Sequence, residues 1–249
     1  MNFLSLLKRN LIHKFKVKKD IDKDIFKHDV SLDFLFEYYK TDKANNFKNK
    51  VGKGHGYSAY YEKHFKEFRS KKINLLEIGS YSGASAAAFI KYFKNVNIYC
   101  LDINLTRFKF KSKHIFTYGI DANNKKSISN FLKKINFDTS IGKFDIIIDD
   151  GSHILSDQLK SLNYFFKYLK IGGCYVIEEY RFPEYYKHLK DTEECTINHL
   201  FEDIIYKGMA SNKFMEISTI KSLVENRSNV FKYKGNHKNS DILFIKKNS

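Results

Sequence analysis

From residue 73 onward, short apolar runs of strand length alternate with helical stretches, and that alternation leaves few folds open. Residues 73–77, 97–101, 114–118, 144–149 and 173–177 read as strands, and 83–93, 125–135 and 155–169 as helices. Strands separated by helices imply a parallel sheet covered on both faces. A helical stretch around 197–206 is followed by two further strand-like runs, 214–220 and 241–246. Residues 1–70 read as a polar, helical segment with a loop from Thr41-Asp-Lys43 to Gly56, and 71–249 as the α/β domain.

An apolar fraction of 43% over 249 residues is enough for one large core. No uncharged apolar run reaches the roughly 18 residues a bilayer span needs. Three cysteines, odd in number and scattered, do not make a disulfide framework and fit a reducing, cytoplasmic compartment. The net charge of +16 favours anionic partners, such as a phosphorylated or nucleotide-linked small molecule. Part of that excess is compositional, because Lys dominates in a chain also rich in Asn, Ile, Phe and Tyr, as A+T-biased coding produces. There is no Arg cluster and no RNA-binding box. The first 19 residues hold six Lys or Arg and no acid, with Phe3, Leu4, Leu7, Leu11 and Phe15 at helical spacing. This stretch reads either as a basic amphipathic helix on an anionic membrane or as a helix packed on its own domain or a neighbouring subunit.

The run Phe144-Asp-Ile-Ile-Ile-Asp-Asp-Gly-Ser-His153 ends an apolar strand in two carboxylates and an imidazole. Charges at a strand exit belong to the rim of a sheet, where open α/β folds bind ligands. Asp150 and His153, spaced i, i+3, face one pocket if a helix begins just after Gly151. Glu178 and Glu179 end the next strand, which topology places beside 144–149. Three carboxylates converging this way need a cation, and all-oxygen ligation suits Mg²⁺. The alternative is a metal-free site whose acids bind substrate hydroxyls directly.

Leu75-Leu-Glu-Ile-Gly-Ser-Tyr-Ser-Gly83 reads as strand, tight turn and helix. Gly79 and Gly83 let backbone approach a ligand, with Ser80, Tyr81 and Ser82 filling the turn. Asp102 lies nineteen residues beyond Gly83, where a ribose-binding acid is expected. Glu77 disfavours a pyrophosphate and suits a nucleoside with a positive end, such as S-adenosylmethionine. Asp121 follows the third strand and is placed to accept from an adenine amino group, or is a solvated loop residue.

The order Thr41-Asp-Lys43, His55-Gly-Tyr57, Glu77 to Gly83, Asp149-Asp-Gly-Ser-His153 and Gly172 to Glu179 resembles the class I S-adenosylmethionine-dependent O-methyltransferases. Within them it is most similar to the magnesium-dependent sugar methyltransferases of macrolide tailoring and glycan synthesis. The resemblance implies a Rossmann-like sheet of seven strands, mostly parallel with an antiparallel last strand, and helices on both faces. It assigns Glu77, Gly79, Gly83 and Asp102 to the cofactor. Thr41, Lys43 and Tyr57 would close over it, with Lys43 or Tyr57 meeting its carboxylate, and Asp149 would lie near its methionine end. Asp150, Glu178 and Glu179 would bind the metal, and His153 would be the general base. Glu179 stands where the family more usually has Asp.

The expected function is therefore methylation of a sugar hydroxyl, on a nucleotide-activated or polysaccharide substrate, by a cytoplasmic and homo-oligomeric enzyme. An RNA methyltransferase and a catalytically silent cofactor-binding protein are the alternatives. A three-carboxylate pocket disfavours the first, because it repels phosphates.

Overall fold

The computed structural model describes residues 3–26, 30–47, 52–135 and 144–248. Its centre is a seven-stranded sheet of β1 (Lys72–Ile78), β2 (Asn95–Asp102), β3 (Ile115–Gly119), β4 (Phe144–Asp149), β5 (Leu169–Glu178), β6 (Val230–Lys234) and β7 (Asp241–Lys246). The spatial order is β3-β2-β1-β4-β5-β7-β6. The first five strands pair in parallel, while β7 runs antiparallel to both β5 and β6. The expected mostly parallel sheet with an antiparallel last strand is borne out.

Strand alternation sorts the apolar side chains onto two faces. Leu75, Ile98, Ile146 and Val176 join a core with α2 (Leu32–Tyr39), α3 (Ser58–Phe65) and α4 (Ala84–Tyr92). Leu76, Ile147, Tyr175 and Leu243 join the opposite core, with α5 (Lys125–Lys134), α6 (Leu155–Phe165), α8 (Ile197–Glu202) and α9 (Ile217–Glu225). A short helix, α7 (Phe182–Tyr185), follows β5. The run Ala86-Ala-Ala88 keeps α4 thin, so α2 packs close to it and the Phe36 and Phe89 rings meet edge to face at 5.5 Å. Side-chain caps fix helix starts: Ser31 accepts from the Phe34 amide at 3.2 Å and Asn124 from the Ser127 amide at 3.0 Å.

Two expectations change. Residues 214–220 are not a strand: Ile217–Glu225 is helical, burying Thr219 and Leu223 four residues apart while Ile217 is exposed. A period of four rather than two decides that segment. Strand β6 carried no clear signal, because its residues are only half-buried at the sheet edge and alternate with Lys. The N-terminal helix α1 (Phe3–Phe15) lies on its own domain, at the ends of β2 and β3. Among the described residues no helix is long and apolar enough to cross a membrane.

Candidate active site

The C-terminal ends of β1, β2, β4 and β5 form one rim. Beyond β1, the Gly79 amide donates to Leu101 O at 2.8 Å, and the Asp150 amide donates back to Ile78 O at 2.9 Å. Gly79 has φ +84, and a Cβ there would come within 1.8 Å of Asp150 O. The glycine is needed where two strand ends touch, which draws the Ser80–Ser82 turn against the Asp150 loop.

Two adjoining cavities follow this rim, sharing Gly79, Tyr81, Asp150 and Gly151. One, of about 380 Å³, is lined by Asp102, Ile103, Asp121 and Asn123 among others. The other, of about 450 Å³, is lined by Thr41, Lys43, Ser80, Asp150 and His153 among others. Both fall in the size range of small-molecule sites. Asp102 fixes the turn by accepting from the Tyr81 amide at 2.7 Å and the Asn104 amide at 2.6 Å. Asn123 Oδ1 is buried in the smaller cavity's wall with no hydrogen-bond partner. An orphaned acceptor beside two aspartates fits a ligand that brings donors, such as the amino group of adenine and the hydroxyls of ribose.

The acids converge around a lysine. Lys43 Nζ is buried, 2.6 Å from Asp150 Oδ2 and 2.7 Å from Glu178 Oε2. It arrives there because Lys40, at φ 62, ends α2 in a left-handed turn and sends Thr41–Lys43 over the rim. Tyr61 on α3 donates to Glu178, and Tyr57 donates to Glu179 Oε1 at 2.8 Å. His55 Nδ1 lies 3.2 Å from Glu179 Oε1 and 2.8 Å from Ser240 Oγ. Adjacent residues of a strand face opposite ways. Glu179, at φ 47, leaves that pattern, so Glu178 and Glu179 reach the same cluster. His153 is likewise left-handed, at φ 57, with Nε2 3.6 Å from Asp150 Oδ1 and 4.0 Å from Glu179 Oε2. Helix α6 starts only at Leu155. The left-handed turn, rather than a helix beginning after Gly151, brings Asp150 and His153 together. Such conformations are costly for non-glycine residues and gather where surrounding structure imposes them.

Burial lowers the Lys43 ammonium, but Asp150 and Glu178 outweigh it and hold the pKa above that of an ordinary lysine. Burial raises Glu178, and it raises Glu179 further because Glu178 and Asp150 repel its charge. For Glu178, burial outweighs the lysine contact at 2.7 Å, which pulls the other way. One ammonium cannot balance three carboxylates, so the cluster shares protons, and Glu179, farthest from Lys43's direct contacts, holds the first. With Lys43 charged, three ionised acids leave a deficit of two positive charges, which a divalent ion matches. Ligand atoms of Asp150, His153 and Glu179 all lie within 4.8 Å of one another. Glu178, expected among the ligands, is instead occupied by Lys43 and Tyr61.

Other expected site residues sit elsewhere. Glu77 is buried beneath the turn, accepts from Ser85 and lines neither cavity. Asp149 points to the α6 side, near Ser161, with Oδ2 unpartnered and its carboxyl pushed up to about 7 by burial. Gly83 makes room for Phe108, whose ring would meet a Cβ at 2.5 Å. Tyr57 contacts Glu179 rather than a cavity, and Lys43, though it lines the larger cavity, is tied to the acids. Thr41, Ser80, Tyr81, Asp102, Asp121, Asp150 and His153 do line the cavities. Asn123 and Tyr61 carried no motif. The Asp121-Ala-Asn-Asn124 loop after β3 was the one available hint for the former.

No protein-family model matches the chain. Mycinamicin VI 2''-O-methyltransferase of Micromonospora griseorubida is 31% identical over 140 residues, 53% of this chain and 33% of that protein. Demethylmacrocin O-methyltransferase of Streptomyces fradiae is 31% identical over 137 residues, 52% of this chain and 33% of that protein. The 8-demethyl-8-alpha-L-rhamnosyl tetracenomycin-C 2'-O-methyltransferase of Streptomyces olivaceus is 30% identical over 132 residues, covering 50% and 33%. The matched stretch spans about a third of the length of these curated relatives. Among solved structures, the MycE methyltransferase of the mycinamycin pathway, in complex with Mg, SAH and mycinamycin VI, superposes with a TM-score of 0.62. That match has 25% identity and covers 88% of this chain and 54% of that one. By its strand order and these matches, the chain has the class I S-adenosylmethionine-dependent methyltransferase fold and is similar in sequence to the sugar O-methyltransferases within it.

Proposed function

We propose that this chain is an S-adenosylmethionine- and Mg²⁺-dependent O-methyltransferase acting on a sugar hydroxyl. The observation that carries the reading is the meeting of Asp150, His153 and Glu179 beside the larger cavity, whose wall Asp150 and His153 help to form. In this reading Asp102 and Asn123 would hold the nucleoside, with Gly79 setting the turn that walls its cavity. S-adenosylmethionine, when bound, supplies a methyl group on a positively charged sulfur. Asp150 and Glu179 would hold the divalent ion, with Glu178 kept close by Lys43. Mg²⁺, when bound, supplies positive charge that lowers the pKa of a neighbouring alcohol.

His153 is the base. Burial lowers its imidazole, with Asp150 pulling the other way, so at neutral pH it is uncharged and can accept a proton. The hydroxyl oxygen forms the new O–CH₃ bond, its proton passes to His153 Nε2, and the C–S bond breaks to release a neutral thioether. Asp150 Oδ1, at 3.6 Å, stabilises the imidazolium that results. The substrate we favour is a nucleotide-activated or polymer-linked sugar, because the chain carries +16 charge and Lys40 lines the larger cavity.

The test is methyl transfer by the purified chain with Mg²⁺ to a panel of nucleotide sugars and glycans, alongside calorimetric binding of S-adenosylhomocysteine. Neither transfer nor binding would end the proposal. His153→Ala should abolish transfer by about 10²–10⁴-fold while keeping Mg²⁺ affinity. Glu179→Gln should weaken Mg²⁺. Equal losses of Mg²⁺ affinity in both variants would make His153 a ligand and not the base.

A further inference from the structure

Helix α1 turns its faces the wrong way round for a helix that only packs on its own domain. The side against the sheet is polar. Asn10 Nδ2 donates to Gly119 O at 2.9 Å, His13 bridges Leu105 O at 3.0 Å and Thr117 Oγ1 at 2.9 Å, and Lys16 Nζ donates to Thr106 O at 2.7 Å. The apolar side looks outward. Leu7 is 47% exposed, Leu11 51%, Ile12 47% and Phe15 78%, and Val17 just beyond the helix is 92% exposed. Positions 7, 11, 12 and 15 share one helical face, whereas 10 and 13 lie on the other. Water-facing apolar side chains scattered singly mean little, but a stripe along one helix marks a surface that something else covers.

We propose that α1 docks the protein on an anionic lipid surface. The charge around the stripe selects this occupant. Lys14 borders it, Lys8 lies between Phe15 and Ile12, and the first 19 residues hold six Lys or Arg and no acid. Large apolar residues on one face, bordered by lysines that reach up to headgroups, are what an interfacial helix requires. Each lysine near an anionic leaflet adds attraction that falls off within a Debye length. A second copy fits less well, because joining two α1 stripes brings two strongly basic segments of a +16 chain face to face. The polar contacts anchor α1 to carbonyls at the C-terminal ends of β2 and β3. Ile103 and Ile120, which follow those strands, line the smaller cavity. Docking therefore sets the rim of the cleft beside the lipid headgroups.

Co-sedimentation of the full chain with vesicles tests this. The protein should pellet with phosphatidylcholine vesicles containing phosphatidylglycerol, at low salt, and stay in solution with phosphatidylcholine alone. Leu7→Asp/Leu11→Asp and Lys8→Glu/Lys14→Glu should each weaken partition by about tenfold or more, with unchanged melting temperature and unchanged S-adenosylhomocysteine binding. Wild-type protein that ignores anionic vesicles would overturn the proposal. So would undiminished binding by the leucine variant, which would leave net charge as the cause. A wild-type dimer that fails to bind vesicles and becomes monomeric in the leucine variant would assign the stripe to a second copy instead.

Discussion

Lys43→Met isolates the electrostatics of the cluster. The substitution keeps the length of the side chain and removes a buried ammonium 2.6 Å from Asp150 and 2.7 Å from Glu178. Removing one partner of a buried pair typically costs about 3–5 kcal/mol, because a charge is stranded away from water. Protonation bounds that cost. A stranded carboxyl with an ordinary pKa of 4.5 takes up a proton at about 3.4 kcal/mol at pH 7 and about 2 kcal/mol at pH 6. For a chain of this size each kcal/mol shifts the melting temperature by about 2–4 °C. Scanning calorimetry should therefore show a drop of about 7–14 °C at pH 7, shrinking at pH 6. Millimolar Mg²⁺ should raise the variant's melting temperature more than the wild type's, since the ion replaces the missing positive charge. A variant that melts within about 2 °C of wild type, with no dependence on pH or Mg²⁺, would refute the role of Lys43 as counter-ion.

Gly79→Ala should destabilise by about 1–3 kcal/mol and weaken S-adenosylhomocysteine binding, because φ is +84 and the new methyl would strike Asp150 O. Denaturant melts and calorimetry check both effects, and a neutral outcome would mean the turn is free to move. Asn123→Ala should weaken S-adenosylhomocysteine by about 2–10-fold in calorimetry, the worth of one hydrogen bond, with no change in stability. His64, stacked on Phe244 and hydrogen-bonded to Tyr233, has its pKa lowered to about 4 by burial and by Lys246 and Lys63. The unfolded chain protonates this histidine near pH 6.5, whereas the folded chain waits until about 4. Its stabilising contribution is thus complete above pH 6.5 and is lost as the pH falls to 4, by at most about 1.4 kcal/mol per unit. His64→Phe should remove that slope from the difference in urea stability between variant and wild type, and an unchanged slope would assign it to other groups.

The rim acids were legible because a carboxylate is out of place at the end of an apolar strand, and parallel neighbours such as β4 and β5 end level with each other. Their partners were not. Tyr61 looks like any half-apolar helix residue until α3 is laid across β5. The segment 214–220 misled because a short apolar run fits either period, and only the burial of Leu223 separates them.

The order of strands and helices, the glycine turn and the placing of Asp150, Glu178 and His153 at one edge were determined by the sequence alone, since hydrophobic period and chain polarity fix them. Which acids point together was decided by the tertiary structure. Left-handed turns at His153 and Glu179 redirect side chains that strand alternation would send apart, and Lys43, more than a hundred residues away, claims Glu178. The outward stripe of α1 is of the same kind: periodicity shows that a helix has two faces, and only its neighbours determine which one is turned to solvent.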